Sequence, residues 1–281
     1  SGEAALGAAP LRFATLRSAL AALAIAGLAS ACAPHFEPAG PAIRAPVIST
    51  AHIETARIET ADGASLPVRS WLPEDAPPKA VILALHGFND YSNAFALPGA
   101  YWARNGVATF AYDQRGFGAG PHPGIWSDAR TLADDAATAA ALIGARYPGV
   151  PLYLLGESMG GAVAIVAAVE TELQAQGLIL VAPALRGRRY LGFLPRATLW
   201  LTSRLFPWYP LTGEGLNIRP SDNIPMLRAF AADPLVIKET RIDAIRGLVD
   251  LMDRALDGAP RLARPTLFLY GDRDELIPEG P

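Results

Sequence analysis

The chain has a single cysteine, Cys32, in 281 residues. That excludes an internal disulfide and any zinc site built from several cysteines. Lysine is almost missing, with Lys79 and Lys238 the only two. Net charge is −3 and the pI about 5.8, so there is no electrostatic footprint for nucleic acid and no nucleic-acid partner is expected. Histidine is confined to His35, His52, His86 and His122. Charged residues make up only 18% of the chain against 51% apolar ones, which excludes general disorder. The length suits one large α/β domain or two small ones with a sizeable core.

Residues 1–40 differ from the rest. Arg12 and Arg17 precede an uncharged run, Ser18–Ala31 (SALAALAIAGLASA). It is shorter than the roughly 20 residues a membrane-crossing helix needs. Basic residues before it and small ones after it match a secretory signal, with Ala29-Ser30-Ala31 as an A-x-A cleavage pattern. Leu28-Ala29-Ser30-Ala31-Cys32 also resembles a permissive bacterial lipobox, which makes Cys32 a lipidation candidate. Residues 1–32 are therefore expected to be a leader and 33–50, with Pro34, Pro38, Pro41 and Pro46, a tether. The expected destination is outside a bacterial cytoplasm, as a periplasmic protein or a lipoprotein held peripherally on a membrane. The chain starts at Ser1 rather than Met and stops in a loop-like stretch, Asp274–Pro281, so a longer natural protein is expected.

Residues 51–281 alternate short apolar runs with helical stretches. Arg57–Thr60 and Leu66–Leu72, joined across Asp62-Gly63, predict an antiparallel hairpin. Ala80–Leu85 is a continuous apolar run, as in a strand buried on both faces, and Val107–Tyr112, Leu152–Leu155, Leu178–Val181 and Thr266–Tyr270 repeat it. Helices are predicted near 92–105, 128–146 and 159–174, the second with Ser127 as N-cap. Strands alternating with helices imply a mostly parallel sheet with helices on both faces. The interval between Val181 and Thr266 is far longer than a crossover needs. An inserted helical cap is expected at about 186–262, rich in aromatics: Tyr190, Phe193, Trp200, Phe206, Trp208 and Tyr209. Arg186, Arg188 and Arg189 at its start suit a solvated face or contact with a phosphate or membrane.

Gly156-Glu157-Ser158-Met159-Gly160-Gly161 follows a predicted strand and opens a predicted helix. This is G-x-S-x-G in strand–turn–helix context. A sharp turn there needs glycines on both sides of the serine, because side chains would collide where strand meets helix. The turn sets Ser158 at a helix N-terminus, where N–H groups favour developing negative charge. An oxyanion formed at Ser158 needs two N–H donors, from the residue after the nucleophile and from the loop after the third strand. Met159 and Phe88 hold those positions. His86, before Phe88, is expected to shape that loop, and Asp113 to brace another.

HGFNDYS at 86–92, YDQRGFGAG at 112–120, GESMGG at 156–161, RPSDNIPMLRAFAADPLV at 219–236 and YGDRDELIP at 270–278 resemble, in order, blocks of the α/β-hydrolase family of monoacylglycerol lipases and lysophospholipases (serine aminopeptidase S33-type). The resemblance spans about residues 55–281. It implies an α/β-hydrolase fold, a serine carboxylic-ester hydrolase acting through an acyl-enzyme on Ser158, and a lipid ester substrate such as a monoacylglycerol or lysophospholipid. It implies no metal and no cofactor. The family's G-x-x-D selects Asp274 as the acid that orients the base, with Asp272 and Glu275 as its bland neighbours. No histidine follows Asp274. The base, with the last helix and strand of the fold, is expected beyond residue 281, and His122 is not expected to replace it. Turnover by residues 1–281 alone should be close to absent. The rivals are another reaction on this fold (C–C hydrolysis, haloperoxidation, peptide hydrolysis) and a binding protein on a dead hydrolase scaffold.

Overall fold

The computed structural model describes residues 34–49, 56–213, 221–274 and 277. The leader and Cys32 lie outside the described residues. An eight-stranded sheet runs in the order β1-β2-β3-β5-β4-β6-β7-β10. Its strands are β1 (Val47–Ser49), β2 (Arg57–Glu59), β3 (Ser65–Trp71), β4 (Ala80–Leu85), β5 (Val107–Tyr112), β6 (Leu152–Glu157), β7 (Gly177–Val181) and β10 (Thr266–Leu269). The first three strands pair antiparallel, and β3 pairs antiparallel with β5. From β5 to β10 every pairing is parallel.

Side-chain alternation divides β4 between two apolar clusters. Val81, Leu83 and Leu85 join the larger one, whereas Ile82 and Ala84 meet Phe95 and Leu155 on the other face. Helix α1 (Ala96–Arg104) covers that second face; a Cβ on its Gly99 would lie 2.6 Å from the Trp71 ring. Helices α2 (Ala129–Arg146) and α3 (Met159–Glu170) supply Leu132, Ile143, Val163 and Ile165 to the larger cluster. The N-cap of α2 is Asp128, not Ser127: its Oδ1 accepts from the N–H of Arg130 at 2.8 Å and of Thr131 at 2.9 Å. That one oxygen accepts both orphan amides, while Oδ2 accepts from the Thr131 hydroxyl at 2.9 Å. The Ser127 hydroxyl instead donates to Glu37 O at 2.8 Å.

That bond belongs to a contact not foreseen for the proline-rich tether. Residues 34–49 are strapped to the body. Phe36 bridges Trp126, the Ala39 N–H donates to Thr131 Oγ1 at 2.8 Å, the Ile43 N–H donates to Ala61 O at 2.7 Å, and β1 extends the hairpin. The hairpin is fastened in turn by Arg115. Its guanidinium bonds to Asp62 at 2.7 and 2.9 Å and to Asp135 of α2 at 2.7 and 2.9 Å.

Between β7 and β10 lie helix α4 (Phe193–Leu205), the two-stranded β8 (Pro210–Thr212) and β9 (Glu239–Arg241), helix α5 (Ile224–Ala232) and helix α6 (Ile242–Gly258). The expected insertion is not all cap. Leu251 and Ala255 of α6 are fully buried in the main core, so that helix packs as part of the body. At the sheet edge, Leu267, Phe268 and Leu269 of β10 remain about half exposed despite their apolar character. Among the described residues no helix is long and apolar enough to cross a membrane.

Candidate active site

Ser158 sits between β6 and α3 with φ 51° and ψ −115°, a conformation that an L residue holds only where its surroundings enforce it. They do so here through hydrogen bonds. The Ser158 N–H donates to Val181 O at 3.0 Å, and Ser158 O accepts from Gly161 at 3.0 Å and Ala184 at 2.9 Å. The flanking glycines are sterically required. A Cβ on Gly156 would run into the Gly160 carbonyl, and one on Gly160 into the Leu85 carbonyl at the end of β4. Met159, fully buried, is the first residue of α3, where a helix leaves its N–H groups without internal acceptors.

The second expected donor, Phe88, lies on the loop after β4, with its ring edge-on to Phe117 at 5.7 Å. Gly87, beside it, is close to the nucleophile: an added Cβ would lie 3.5 Å from Ser158 Cβ. The loop is also tied to the cap. Asn89 Nδ2 donates to Thr240 Oγ1 at 2.6 Å, the Ile237 N–H donates to Asn89 O at 3.0 Å, and Tyr91 OH donates to Asp233 Oδ2 at 2.7 Å. Burial and Asp233 together push the Tyr91 hydroxyl up to about 12.

His86 is fully buried and acts as a brace. Its Nε2 accepts from the Gln114 N–H at 3.0 Å, which places the ring proton on Nδ1, 2.8 Å from Gly87 O. Desolvation lowers it to about 4, so it stays neutral. Asp113 is likewise occupied, accepting from the N–H groups of Ser92 at 3.0 Å and Ala119 at 2.9 Å. His122 is exposed, 3.3 Å from Glu37 by the N-terminal strap, and lines a polar cavity away from Ser158.

Asp274 follows β10 and is half-buried, its Oδ1 accepting from the Ile277 N–H at 2.9 Å. Since β10 lies beside β7, and β7 beside β6, the topology brings Asp274 to the same end of the sheet as Ser158. Its charge reaches the Glu157 carboxyl. Asp272 is exposed, and Glu275 lies outside the described residues.

Sequence reasoning missed two carboxyls. Glu157, the variable residue of G-x-S-x-G, is raised to about 7, chiefly by enclosure of its carboxyl group and then by Asp90. Asp90 is raised as well, first by burial. An acid directly before the serine was visible in the sequence, but its partner across the loop was not. Both line an apolar cavity of about 960 Å³ between body and cap, near the upper end of small-molecule sites. Trp102, Leu155, Ile179 and Val181 form its body side, and Met226 and Phe230 of α5 its cap side. The aromatic run at 190–209 does not line it. All six of those side chains are exposed, from Tyr190 at 38% to Phe193 at 86%.

Residues 76–281 match the profile of the serine aminopeptidase S33 family. Rat monoglyceride lipase is 29% identical over 220 residues, 77% of this chain and 72% of that protein. The monoacylglycerol lipase of Mycolicibacterium smegmatis is 26% identical over 211 residues, 74% of each. Among solved structures, a soluble variant of Saccharomyces cerevisiae monoglyceride lipase superposes with a TM-score of 0.63 at 20% identity, over 84% of this chain and 81% of that one. The monoacylglycerol lipase of Paleococcus ferrophilus gives 0.57 at 22% identity, over 73% and 77%. The chain belongs to the serine aminopeptidase S33 family of α/β-hydrolases, and monoglyceride lipases are among its relatives.

Proposed function

We propose that this protein is a serine carboxylic-ester hydrolase acting on acyl esters such as monoacylglycerols or lysophospholipids. The observation that carries this reading is Ser158 on its strained turn, at the start of α3, next to a residue that lines a large apolar cavity. Ser158 Oγ attacks the ester carbonyl carbon while its proton passes to a histidine base. The negative oxygen of the tetrahedral intermediate accepts from the N–H groups of Phe88 and Met159, and removing one such donor costs about 3–4 kcal/mol of transition-state stabilisation. Collapse expels the alcohol, which takes the proton from the histidine and leaves the acyl group on Ser158. Water then repeats the sequence and releases the fatty acid.

Asp274 is assigned to orient the base, and the base itself to a residue beyond Pro281. In the described residues, His86 is locked as a neutral brace, and His35 and His122 are exposed beside Glu37. The half-exposed apolar side chains of β10 offer a surface for further chain to cover. The test is hydrolysis of p-nitrophenyl esters of increasing acyl length by protein expressed from the gene continued past codon 281. An acyl hydrolase prefers chains longer than acetyl and loses activity with Ser158→Ala. Faster cleavage of aminoacyl amides than of any ester would move the assignment to the peptidase activity in the family's name.

A further inference from the structure

A second cavity, of about 340 Å³, opens between α4 and α6, on residues apart from the acyl cavity. Arg188, Arg196 and Arg246 line it against a single carboxylate, Asp250, with Ser203 as a neutral donor and acceptor. Three positive groups facing one negative group are unexpected in a chain of net charge −3. Asp250 is also largely spent. Its Oδ1 is bonded to Arg188 Nη2, and Arg188 is held again by Asp253 at 2.6 Å.

Arg246 is left under-compensated. Its Nη1 reaches only the Ser203 hydroxyl at 3.3 Å, and its Nε is buried without a hydrogen-bond partner, 3.9 Å from Asp250. Burial, the largest influence, disfavours its charge, Asp250 offsets part of this, and the neighbouring Arg204 and Arg188 disfavour it further. An enclosed donor without an acceptor leaves the Arg246 charge under-stabilised, and an oxyanion at the part of its side chain that stays open, 24% of it, offsets that.

We propose that this cavity binds a phosphate group, whose oxygens accept from Arg246 and Arg196 while Ser203 completes the cradle. Phosphate fits better than a carboxylate because its several oxygens match donors from two guanidinium groups, Arg246 and Arg196, and the Ser203 hydroxyl, with Arg188 already held by Asp250 and Asp253. Two sources share that chemistry, free inorganic phosphate and the head group of an anionic lipid. The lipid is a source because Phe193, Leu194 and Leu201 of α4, the helix that walls the cavity, are exposed.

The test compares the full-length protein with Arg246→Gln and Arg196→Gln. The exposed position of Arg196 keeps the second variant informative if the first fails to fold. Inorganic phosphate binding is followed by calorimetry, and sedimentation is measured with vesicles of phosphatidylcholine alone or mixed with phosphatidylglycerol. Wild-type protein is expected to bind in at least one arm, and each variant to weaken that binding at least about fivefold, with hydrolysis of a short soluble ester unchanged. Retention on phosphatidylglycerol vesicles that inorganic phosphate competes away identifies the lipid source, and phosphate binding without vesicle retention the free anion. The proposal is overturned if wild-type protein binds neither probe, or if the variants bind as tightly as wild type.

Discussion

Glu157 Oε2 stands so close over Gly87 that a Cβ there would lie 2.8 Å from it, and the Gly87 backbone partly offsets the rise of the same carboxyl. The residue before the nucleophile thus braces the loop that carries Phe88. Its raised value has a consequence for stability. Between the ordinary glutamate range and about 7, the folded protein holds a proton that the unfolded chain has released, so stability falls as pH rises through that window. Glu157→Gln keeps a polar side chain of the same shape over Gly87 without the titration. Its melting temperature should equal that of wild type near about pH 4 and exceed it near about pH 8. Equal melting temperatures at both pH values would show that Glu157 is not held protonated.

The strain at Ser158 is measurable. Its φ of 51° costs an L residue about 1–3 kcal/mol, part of which glycine recovers after its own entropy loss. Ser158→Gly should therefore raise stability by about 1 kcal/mol, whereas Ser158→Ala, still strained, should melt close to wild type. Both should lose ester hydrolysis. Denaturant midpoints compared at constant m-value decide the matter.

Arg115 ties the β2–β3 hairpin to α2. Asp135, almost fully buried, is raised to about 6 even beside Arg115, because burial outweighs the ion pair, while the more open Asp62 is pulled well below its ordinary value. Arg115→Met leaves a buried carboxylate without its cation, so a loss of about 3–5 kcal/mol is expected. With Arg115 gone the Asp135 carboxyl rises further, and the loss should be larger at about pH 8 than at about pH 5. Urea titrations at the two pH values test the sign.

We propose that the leader is removed on export and that Cys32 carries lipid. Intact mass of membrane-extracted protein should then show chains beginning at Cys32 with a lipid increment. An unmodified Cys32 contradicts this.

The sheet and its crossovers were legible because strands buried on both faces are written as unbroken apolar runs; Ala80–Leu85, Val107–Tyr112 and Gly177–Val181 match the sequence expectation within a residue. The elbow was legible for a steric reason, since Gly156 and Gly160 stand where side chains cannot fit. The strap at 34–49 was not, because apart from Phe36 it is held largely by backbone and polar hydrogen bonds that leave no periodicity. Nor could the sequence show that the cap side of the apolar cavity of about 960 Å³ comes from Met226 and Phe230 rather than the conspicuous aromatics. Composition gives residue type, while facing direction is set by packing. The influence of Asp90 on Glu157 depends on the loop after β4 and the end of β6 coming together only in the folded chain.

The central claim is that Ser158 is an acylated nucleophile. The direct measurement is rapid-quench mass spectrometry of the protein extended past Pro281, mixed with a long-chain p-nitrophenyl ester. A burst of nitrophenol equal to the enzyme concentration, with the acyl mass on the peptide carrying Ser158 and no burst from Ser158→Ala, is the predicted result. Steady release with no acyl adduct on Ser158, or an equal burst from Ser158→Ala, would contradict the account.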